Sequence, residues 1–453
     1  MRNYALYGAD ELGYLQVVNR GPADEDTFYY YVHHPPLIVW SATIFTEIFG
    51  GYADGRPYEA VVRLVSVYAT MISIAAFYVI ARRLFKHPRR ALWTTALYAF
   101  TPMILYFGRM PNHEPLALGF ILPFVAIYLN WMQNPTRNRW LAMAVLAALA
   151  MWSAWAAAFI FAGLGVATLI TGNNMQRRQM VALGAVTAAF TVAIPGFYEL
   201  QRSGSIEALQ EAFSFRTSSQ EFSRGSENFT LAEYLLQLTI HLLVRTSFAH
   251  VLLSVAGIIL MLRQPPSQVR TVSLALLGGA AAYLLVFRNA SFIHDYYKIY
   301  LLPSMTFAMS VAIVVGLRQR RKRRSLWRYA TPFVVSLLLI STVTILNNWW
   351  QLQQSGVGTN TSDLVHVFST YTVPDDLITT NVEFQNSAVE YYAFRNITWE
   401  QTPDAVLAQA TGTTQRIIYL YCRGAEIPEG FEGATAEAVL ADNCQLITLD
   451  TAG

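Results

Sequence analysis

Residues 29–40, YYYVHHPPLIVW, place two histidines and two prolines directly before an apolar run. The run at 37–50 has about 14 residues and contains Glu47, whereas about 20 apolar residues are needed to cross the hydrocarbon core of a bilayer. Proline suits the first turn of a helix and forces an extended approach to it. The stretch therefore predicts a helix over about 36–50 that lies in the membrane interface instead of crossing it.

The rest of the chain has the composition of a polytopic membrane protein. Of its 453 residues, 54% are hydrophobic and only 13% are charged, whereas about a quarter of the residues of a soluble protein are charged. Repeated apolar runs of about 17–22 residues predict a mainly α fold with about ten spans. The predicted spans are 60–81, 91–107, 115–132, 138–153, 155–171, 180–197, 247–262, 271–287, 298–316 and 329–346.

Lysine and arginine are distributed unevenly between the connecting loops. Five loops hold 18 of the 32 Lys and Arg residues and none of the 29 Asp and Glu residues. With ten spans, all five loops lie on one face, which the positive-inside rule makes cytoplasmic. If the helix at 36–50 crossed the membrane, the later loops would invert, so we expect it on the outer face. The basic loops are 82–90, 133–139, 172–179, 263–270 and 317–328.

Three clusters of polar side chains then meet at the predicted outer face. Polar groups at membrane depth are costly, so such clusters are candidates for function. The first cluster precedes the interfacial helix, the second lies between spans two and three, and the third comes just before span nine. The candidate residues are His33 and His34, with Arg63 near the start of span one; Arg109, His113 and Glu114; and His294, Asp295, Tyr296 and Lys298.

These side chains suit more than one role. Glu114 and Asp295 are hard oxygen ligands for a divalent metal ion, and the histidines are borderline ligands. Arg63, Arg109 or Lys298 would instead suit a phosphate group. A third interpretation makes them ordinary interfacial caps, with long cationic side chains extending to the headgroups. No spacing amounts to a metal signature, so the residues alone leave these alternatives open.

The chain ends in a segment of soluble composition. Residues 347–453 contain 13 acidic residues against 3 arginines. Apolar runs at 377–382 and 416–421 predict strands, and 402–410 predicts a helix, which together indicate a small α/β module outside the membrane. The predicted organisation is therefore an outer segment at 1–59, a transmembrane domain at 60–346 and a soluble module at 347–453.

Both cysteines of the chain, Cys422 and Cys444, fall in this module. An oxidising compartment would allow a disulfide between them. Two free thiols in a small core are the alternative.

Four stretches carry a family resemblance: HHPPLIVWSATIFTEIFGG (33–51), EAVVRLVSVYATMISIAAFYVIARRLF (59–85), RMPNHEPLALGFILPFVAIYL (109–129) and HDYYKIYLLP (294–303). They resemble the bacterial branch of the protein O-mannosyltransferase-like membrane glycosyltransferases. This branch belongs to the GT-C superfamily and includes the aminoarabinose transferase of lipid A. The similarity runs from about residue 3 to residue 316, and its most specific part is the proline pair followed by an amphipathic helix.

The resemblance implies a multi-pass enzyme of the bacterial inner membrane. Such enzymes take a sugar from a polyprenyl-phosphate carrier and give it to an acceptor on the outer side, here a protein, a glycan or a lipid of unknown identity. They displace the carrier with inversion: a carboxylate accepts the acceptor's proton, and basic groups or a metal ion stabilise the leaving phosphate. No nucleic-acid partner is expected, because the basic run at 318–324 suits a topology determinant near anionic lipid.

Carried over by position, the resemblance assigns roles to the candidate residues. His33 and His34 would lie beside the carrier phosphate, and Arg63 matches an arginine that follows the interfacial helix. Glu114 would be an acid that binds metal or substrate, and with Asp295 it is a candidate for the catalytic carboxylate. His294, Asp295 and Tyr296 would line the mouth of the same cavity.

One feature of the family is missing from this sequence. The family's general-base acid follows an N-terminal span, just upstream of a stretch similar to RNYALYG, which is residues 2–8 here. We therefore expect a first span and the base in sequence upstream of residue 1. The alternative is a non-catalytic membrane protein of the same fold, such as a partner subunit or a lipid-binding protein. A transporter is the least favoured alternative. Transporters have broken or charged helices at mid-bilayer and internal symmetry, whereas this sequence has almost no ionisable residues within the predicted spans and no internal repeat.

Overall fold

The computed structural model divides the chain into two units, which we describe separately. The first comprises Met1–Gln16 and Tyr31–Leu346, and the second comprises Val17–Tyr30 and Asn347–Gly453. The structure describes residues 2–18, 28–53, 56–218, 229–322, 336, 338–348, 359–373, 376–381, 393, 395–398, 401–410, 416–422, 431, 435–440 and 444–449.

Helices dominate the described residues of the first unit, with one short hairpin between α2 and α3. A 3₁₀-helix, Asp295–Leu301, directly precedes α15. Helix α16 contains residues of both units. The hairpin is formed by β1 (Tyr52–Ala53) and β2 (Arg56–Pro57). The helices are α1 (Arg2–Tyr7), α2 (Leu37–Ile48), α3 (Glu59–Phe85), α4 (Pro88–Ala99), α5 (Pro102–Phe107), α6 (His113–Gln133), α7 (Arg137–Met151), α8 (Ala156–Thr171), α9 (Asn174–Gln201), α10 (Ser205–Thr217), α11 (Leu231–Thr246), α12 (Phe248–Arg263), α13 (Gln268–Val286), α14 (Arg288–Ile293), α15 (Leu302–Lys322) and α16 (Leu338–Asn348).

Helix α2 forms where the sequence predicts a helix over about 36–50. Pro36 is its N-cap residue, so the helix begins directly after the proline pair. One face is buried through Ile38, Val39, Ala42 and Thr46, which recur at the helical spacing of three and four residues. The structure therefore has a helix with one buried face at this position. Its place in the membrane interface stays a prediction.

Five helical segments in the described part of the chain are long and apolar enough to cross a membrane. They are α3, α6, α9, α13 and the segment Asp295–Gly316. Helices α11 and α12 are bent by 114° relative to each other and add a sixth span if they are counted as one. The mainly helical membrane fold is confirmed, whereas the number of ten spans is not. The other predicted spans up to residue 171 coincide with the shorter helices α4, α5, α7 and α8.

Glycines let several of these helices approach closely. A Cβ atom at Gly257 of α12 would lie 1.8 Å from the carbonyl oxygen of Ala308 in α15. A Cβ atom at Gly163 of α8 would lie 2.3 Å from the carbonyl oxygen of Ala275 in α13. Close backbone approach at small residues is a main source of helix association in membranes, where lipid and protein are equally apolar.

The second unit contains a five-stranded sheet of order β4-β3-β5-β7-β6. Strands β4, β3 and β5 are parallel, whereas β7 and β6 pair antiparallel with their neighbours. This sheet confirms the predicted small α/β module. Cys422, directly after β5, forms a disulfide with Cys444, the first residue of β7. The elements are α17 (Thr359–Tyr371), β3 (Leu377–Thr380), β4 (Ile397–Thr398), α18 (Pro403–Ala410), β5 (Ile417–Tyr421), β6 (Thr435–Leu440) and β7 (Cys444–Leu449).

The contact between α12 and α15 yields a prediction about stability. We expect Gly257→Ala to lower the free energy of unfolding by about 1–3 kcal/mol, because the added methyl group overlaps a backbone carbonyl that cannot turn away. The measurement is the thermal unfolding of the detergent-solubilised protein. Gly278→Ala in α13 is the matched control, since nothing lies within 4 Å of its Cβ position. Equal melting temperatures for the two variants would contradict the prediction.

Candidate active site

The site is centred on the ring of His34, which is 4% exposed. This ring stacks on the ring of His113 at the start of α6, with centroids 4.5 Å apart and an interplanar angle of 17°. The hydroxyl of Tyr297, in the 3₁₀-helix, lies 3.4 Å from His34 Nε2. The structure thus brings together residues from all three clusters that the sequence singled out.

Hydrogen bonds from distant helices hold the backbone of the two histidines. Trp155, at the start of α8, donates from its indole nitrogen to the His33 carbonyl at 3.0 Å. The hydroxyl of Tyr198, in α9, donates to the His34 carbonyl. Because prolines follow at positions 35 and 36, the next two residues have no N–H group with which to bond. The segment is therefore fixed mainly through its carbonyl groups.

Glu114 occupies the first turn of α6 and is 1% exposed. The preceding Asn112 caps the helix and accepts a hydrogen bond from the His113 N–H at 2.9 Å. Within the described structure, the Oε2 atom of Glu114 is buried without a hydrogen-bond partner. Its carboxylate lies within electrostatic range of Arg216 and of Tyr297. A buried carboxylate near a cation and a helix N-terminus suits proton transfer or substrate binding.

Arg216 is the central cation of the site, and the sequence analysis missed it. It lies near the end of α10, in the long connection between α9 and α11. Its guanidinium donates to the His33 carbonyl at 3.2 Å and to the Tyr31 hydroxyl at 3.3 Å. The only sequence signal was a single arginine at the end of an amphipathic helix, and such arginines are common on protein surfaces.

The charge of Arg216 affects the neighbouring histidines. Burial, with Arg216 as the second cause, lowers the pKa of His33 to about 4. Burial, again followed by Arg216, lowers the pKa of His34 well below its usual value. Both imidazoles are therefore neutral at pH 7. They can offer hydrogen bonds to an anion, whereas the positive charge comes from Arg216.

A largely apolar cavity of about 440 Å³ lies beside Arg216, and we call it the site cavity. Its walls include Phe159 of α8, Pro195 of α9 and Phe287 after α13, and both His33 and Arg216 line it as well. An apolar cavity with a few polar groups placed at one part of the wall is the usual form of a small-molecule site.

Asp295 and Lys298 are engaged with other groups. A carboxylate oxygen of Asp295 forms an ion pair with Arg245 of α11. Lys298 is fully buried, and its ammonium group donates to the carbonyls of Ser291 and His294. The ring of His294 stacks with that of Tyr296 at 5.1 Å. Asp295 therefore has a charged partner, whereas the carboxylate of Glu114 has no ion pair among the described residues.

Two predicted phosphate ligands make their contacts elsewhere. Arg63 forms an ion pair with Glu59, one turn earlier in α3. Arg109 is exposed and lies over the ring of Tyr106 at 5.8 Å. Both partners are close in sequence, since Glu59 precedes Arg63 by four residues and Tyr106 precedes Arg109 by three. Their proposed role at the phosphate has no support from these contacts.

The described residues contain no group of three or more His, Cys, Asp or Glu side chains that could hold a metal ion. Asp295, one of the two predicted metal ligands, forms an ion pair with Arg245 through one carboxylate oxygen. A bound metal ion therefore stays a prediction, and we derive no chemical step through one.

Comparison with known proteins finds one family model and several solved structures that are similar to this chain. The family model described as dolichyl-phosphate-mannose-protein mannosyltransferase matches residues 33–198. ArnT from Cupriavidus metallidurans, solved bound to undecaprenyl phosphate, is similar with a TM-score of 0.64 at 15% identity, covering 100% of this chain and 93% of that chain. No curated protein sequence matches the chain.

A second similar structure is the archaeal oligosaccharyltransferase AglB from Archaeoglobus fulgidus, in complex with an inhibitory peptide and a dolichol-phosphate. Its TM-score is 0.57 at 13% identity, covering 92% of this chain and 65% of that chain. An oligosaccharyltransferase from the same organism in complex with Zn and sulfate has a TM-score of 0.54 at 12% identity, covering 87% of this chain and 60% of that chain.

Together the matches show that the chain has the fold of ArnT and AglB, and that residues 33–198 are similar to the mannosyltransferase family. The resemblance drawn from the sequence is thereby confirmed. The family model includes His33, His34, His113 and Glu114 within its matched residues.

The buried histidines make stability depend on pH. An unfolded histidine has a pKa of about 6.5, whereas folded His33 has a pKa of about 4 and that of His34 is also strongly lowered. Between these values the unfolded chain binds more protons, so the free energy of unfolding falls as pH drops through this window and is unaffected above it. We expect the melting temperature in detergent to fall from about pH 7 to about pH 5, and His34→Gln to make that fall shallower.

His87→Gln is the matched control, because His87 is exposed at the start of α4. We expect this variant to keep the pH dependence of the parent protein. If the melting temperatures of the His34 variant and of the parent protein fell equally with pH, the prediction would be wrong. His34 would then have the same pKa in the folded and the unfolded chain.

Proposed function

We propose that the protein transfers a sugar from a polyprenyl-phosphate-linked donor to an acceptor on the outer face of the bacterial inner membrane. The observation that carries the proposal is the guanidinium of Arg216 in the wall of a largely apolar cavity. A lipid phosphate has the complementary form, with an anionic headgroup joined to a long apolar chain.

The hydrogen-bonding capacity of Arg216 supports a phosphate at this place. A guanidinium has five N–H donors, arranged in a fork that suits phosphate oxygens. Two described contacts go to neutral acceptors, the His33 carbonyl and the Tyr31 hydroxyl. No described ion pair neutralises the charge of Arg216. The neutral imidazoles of His33 and His34 would add hydrogen bonds to the phosphate.

Among the carboxylates that the structure describes, Glu114 is the one that we assign to proton transfer. In the proposed step, an oxygen or nitrogen of the acceptor attacks the anomeric carbon of the donor sugar. The bond from that carbon to the phosphate oxygen breaks, and its electron pair stays on the lipid phosphate next to Arg216. The proton of the acceptor passes to Glu114, whose Oε2 atom is unpartnered within the described residues. Arg216 would stabilise the charge that develops on the leaving group.

The ligands of the similar structures agree with this donor class. ArnT was solved with undecaprenyl phosphate and AglB with a dolichol-phosphate. AglB was also bound to an inhibitory peptide, so a peptide is one of the acceptor classes to test here.

A non-catalytic lipid-binding protein is the second candidate. It is favoured by the ion pair between Asp295 and Arg245, which leaves one of the two predicted catalytic carboxylates engaged. The two candidates share the phosphate site at Arg216 and differ at Glu114, which only the enzyme requires.

Replacing Arg216 tests the phosphate site. We expect Arg216→Gln to weaken the binding of undecaprenyl phosphate by about 10–100-fold, because hydrogen bonds to a charged group are worth about 1.5–3 kcal/mol. Native mass spectrometry of the protein in detergent would measure this binding. Arg263→Gln, at an exposed arginine that ends α12, is the charge-matched control. If the Arg216 variant bound undecaprenyl phosphate as the parent protein does, the phosphate would not bind at Arg216.

Replacing Glu114 separates the enzyme from the lipid-binding protein. We expect Glu114→Gln to lower the turnover of undecaprenyl-phosphate sugars by at least about 100-fold, a typical loss for a general base, and to leave the binding of undecaprenyl phosphate intact. The release of undecaprenyl phosphate is the readout, since it is common to all such donors. Glu207→Gln, at an exposed carboxylate on α10, is the control. Normal turnover in the Glu114 variant would exclude Glu114 as the base.

A further inference from the structure

The two nitrogen atoms of the His34 ring lie in different surroundings. Its Nε2 atom lies 3.4 Å from the hydroxyl of Tyr297. Its Nδ1 atom is buried and has no hydrogen-bond partner among the residues that the structure describes. A neutral imidazole carries one proton, and the hydrogen bond that one nitrogen makes decides the state of the other. The position of the proton on His34 therefore depends on its contact with Tyr297.

Two aromatic neighbours hold the plane of the His34 ring. The ring stacks on that of His113, with centroids 4.5 Å apart. It also lies nearly parallel to the ring of Tyr31, with centroids 6.0 Å apart and an interplanar angle of 20°. Tilting the His34 ring out of this plane would break both contacts. The two nitrogens therefore keep their separate surroundings.

The ring of His113 illustrates how a partner selects the tautomer. Its Nδ1 atom lies 3.1 Å from the carbonyl oxygen of Ser153. Because a carbonyl can only accept, the proton of neutral His113 is on Nδ1. The partner of His34 is instead a hydroxyl, which both donates and accepts. The hydroxyl of Tyr297 has a second hydrogen bond, with the side chain of Tyr296, so it can accept from Tyr296 and donate its own proton to His34.

We propose that Tyr297 is a positioning residue: it donates to Nε2 of His34, so that the ring offers its Nδ1–H group to the lipid phosphate. This inference rests on the proposed function, because it takes the phosphate to lie beside Arg216. Of the described side chains, Arg216 has the largest electrostatic effect on the His34 ring. A buried N–H group without a partner is costly, and an anionic oxygen removes that cost when the lipid binds. With the proton on Nε2, the ring would present a lone pair to the phosphate and repel it.

The first test determines the tautomer and needs no lipid. Nitrogen NMR of protein labelled at its eight histidines, in detergent at about pH 7, distinguishes the two tautomers, and the spectrum of His34→Gln identifies the signals of His34. We expect Nδ1–H in the parent protein and a shift toward Nε2–H in Tyr297→Phe, whereas His113 keeps its proton on Nδ1 in both. Tyr128→Phe is the matched control. It removes one buried hydroxyl, which bonds to Thr168 at 2.9 Å near the other end of α6, and we expect it to change neither histidine.

The second test is the binding of undecaprenyl phosphate, measured by native mass spectrometry in detergent. We expect Tyr297→Phe to weaken binding about 2–10-fold, which is the worth of one hydrogen bond, and Tyr128→Phe to leave binding unchanged. Two replacements of His34 separate its nitrogens, because an asparagine amide reaches the position of Nδ1 and a glutamine amide that of Nε2. We expect His34→Asn to bind like the parent protein, with or without the Tyr297 hydroxyl. His34→Gln is expected to bind as weakly as Tyr297→Phe.

Several outcomes would overturn the inference. One is a proton on Nε2 of His34 in the parent protein, and another is an unchanged tautomer in Tyr297→Phe. If Tyr297→Phe does not fold, weaker binding by His34→Asn than by His34→Gln would overturn it equally. Normal binding by Tyr297→Phe together with a loss in Arg216→Gln would leave the proposed function standing and remove only the role of Tyr297. Normal binding by Arg216→Gln would contradict both the proposed function and this inference.

Discussion

The site depends on how the backbone carbonyls of His33 and His34 are bound. Each carbonyl accepts a hydrogen bond from a side chain that lies more than a hundred residues away in sequence, through Trp155, Tyr198 and Arg216. Prolines at the next two positions remove the N–H groups that would otherwise pair with neighbouring backbone. The short segment before α2 is thus the point where α8, α9 and α10 are fixed relative to α6. Its rigidity is what gives the site a defined shape.

The distribution of charge follows from this packing. Once the histidine segment is buried, protonation of its imidazoles is unfavourable, because burial and the nearby guanidinium both disfavour a second positive charge. Arg216 therefore supplies the positive charge, and Glu114 is a buried carboxylate within its electrostatic range. In the proposed displacement, Arg216 would stabilise the leaving phosphate and Glu114 would accept the proton of the acceptor.

A lipid phosphate has two parts with opposite solvation, and the site cavity offers a surface suited to each. In the proposed function, the anionic part would meet the guanidinium of Arg216. The apolar part would meet the apolar wall of the cavity, which includes Phe159, Pro195 and Phe287.

Much of the fold follows from sequence patterns that are local. A long apolar run predicts a helix such as α3 or α6, proline predicts where α2 begins, and short apolar runs predict strands of the C-terminal sheet. The number of spans was not predictable in the same way. The run at 91–107 divides into α4 and α5 beside Pro102, and the residues before α12 form a separate helix bent by 114°. Such bends depend on tertiary contacts, which hydropathy does not record.

The candidate site shows the same division. The sequence by itself determined which chemical groups gather near one end of the helices, because charge and proline are distributed unevenly along the chain; it indicated His34, His113 and Glu114 in this way. Only the tertiary structure decided that Arg216 is the cation beside them, since this arginine comes from an amphipathic helix with no distinguishing pattern. Likewise, Arg63 has the right residue type but pairs with Glu59. Residue type fixes what a group can do, and packing fixes what it meets.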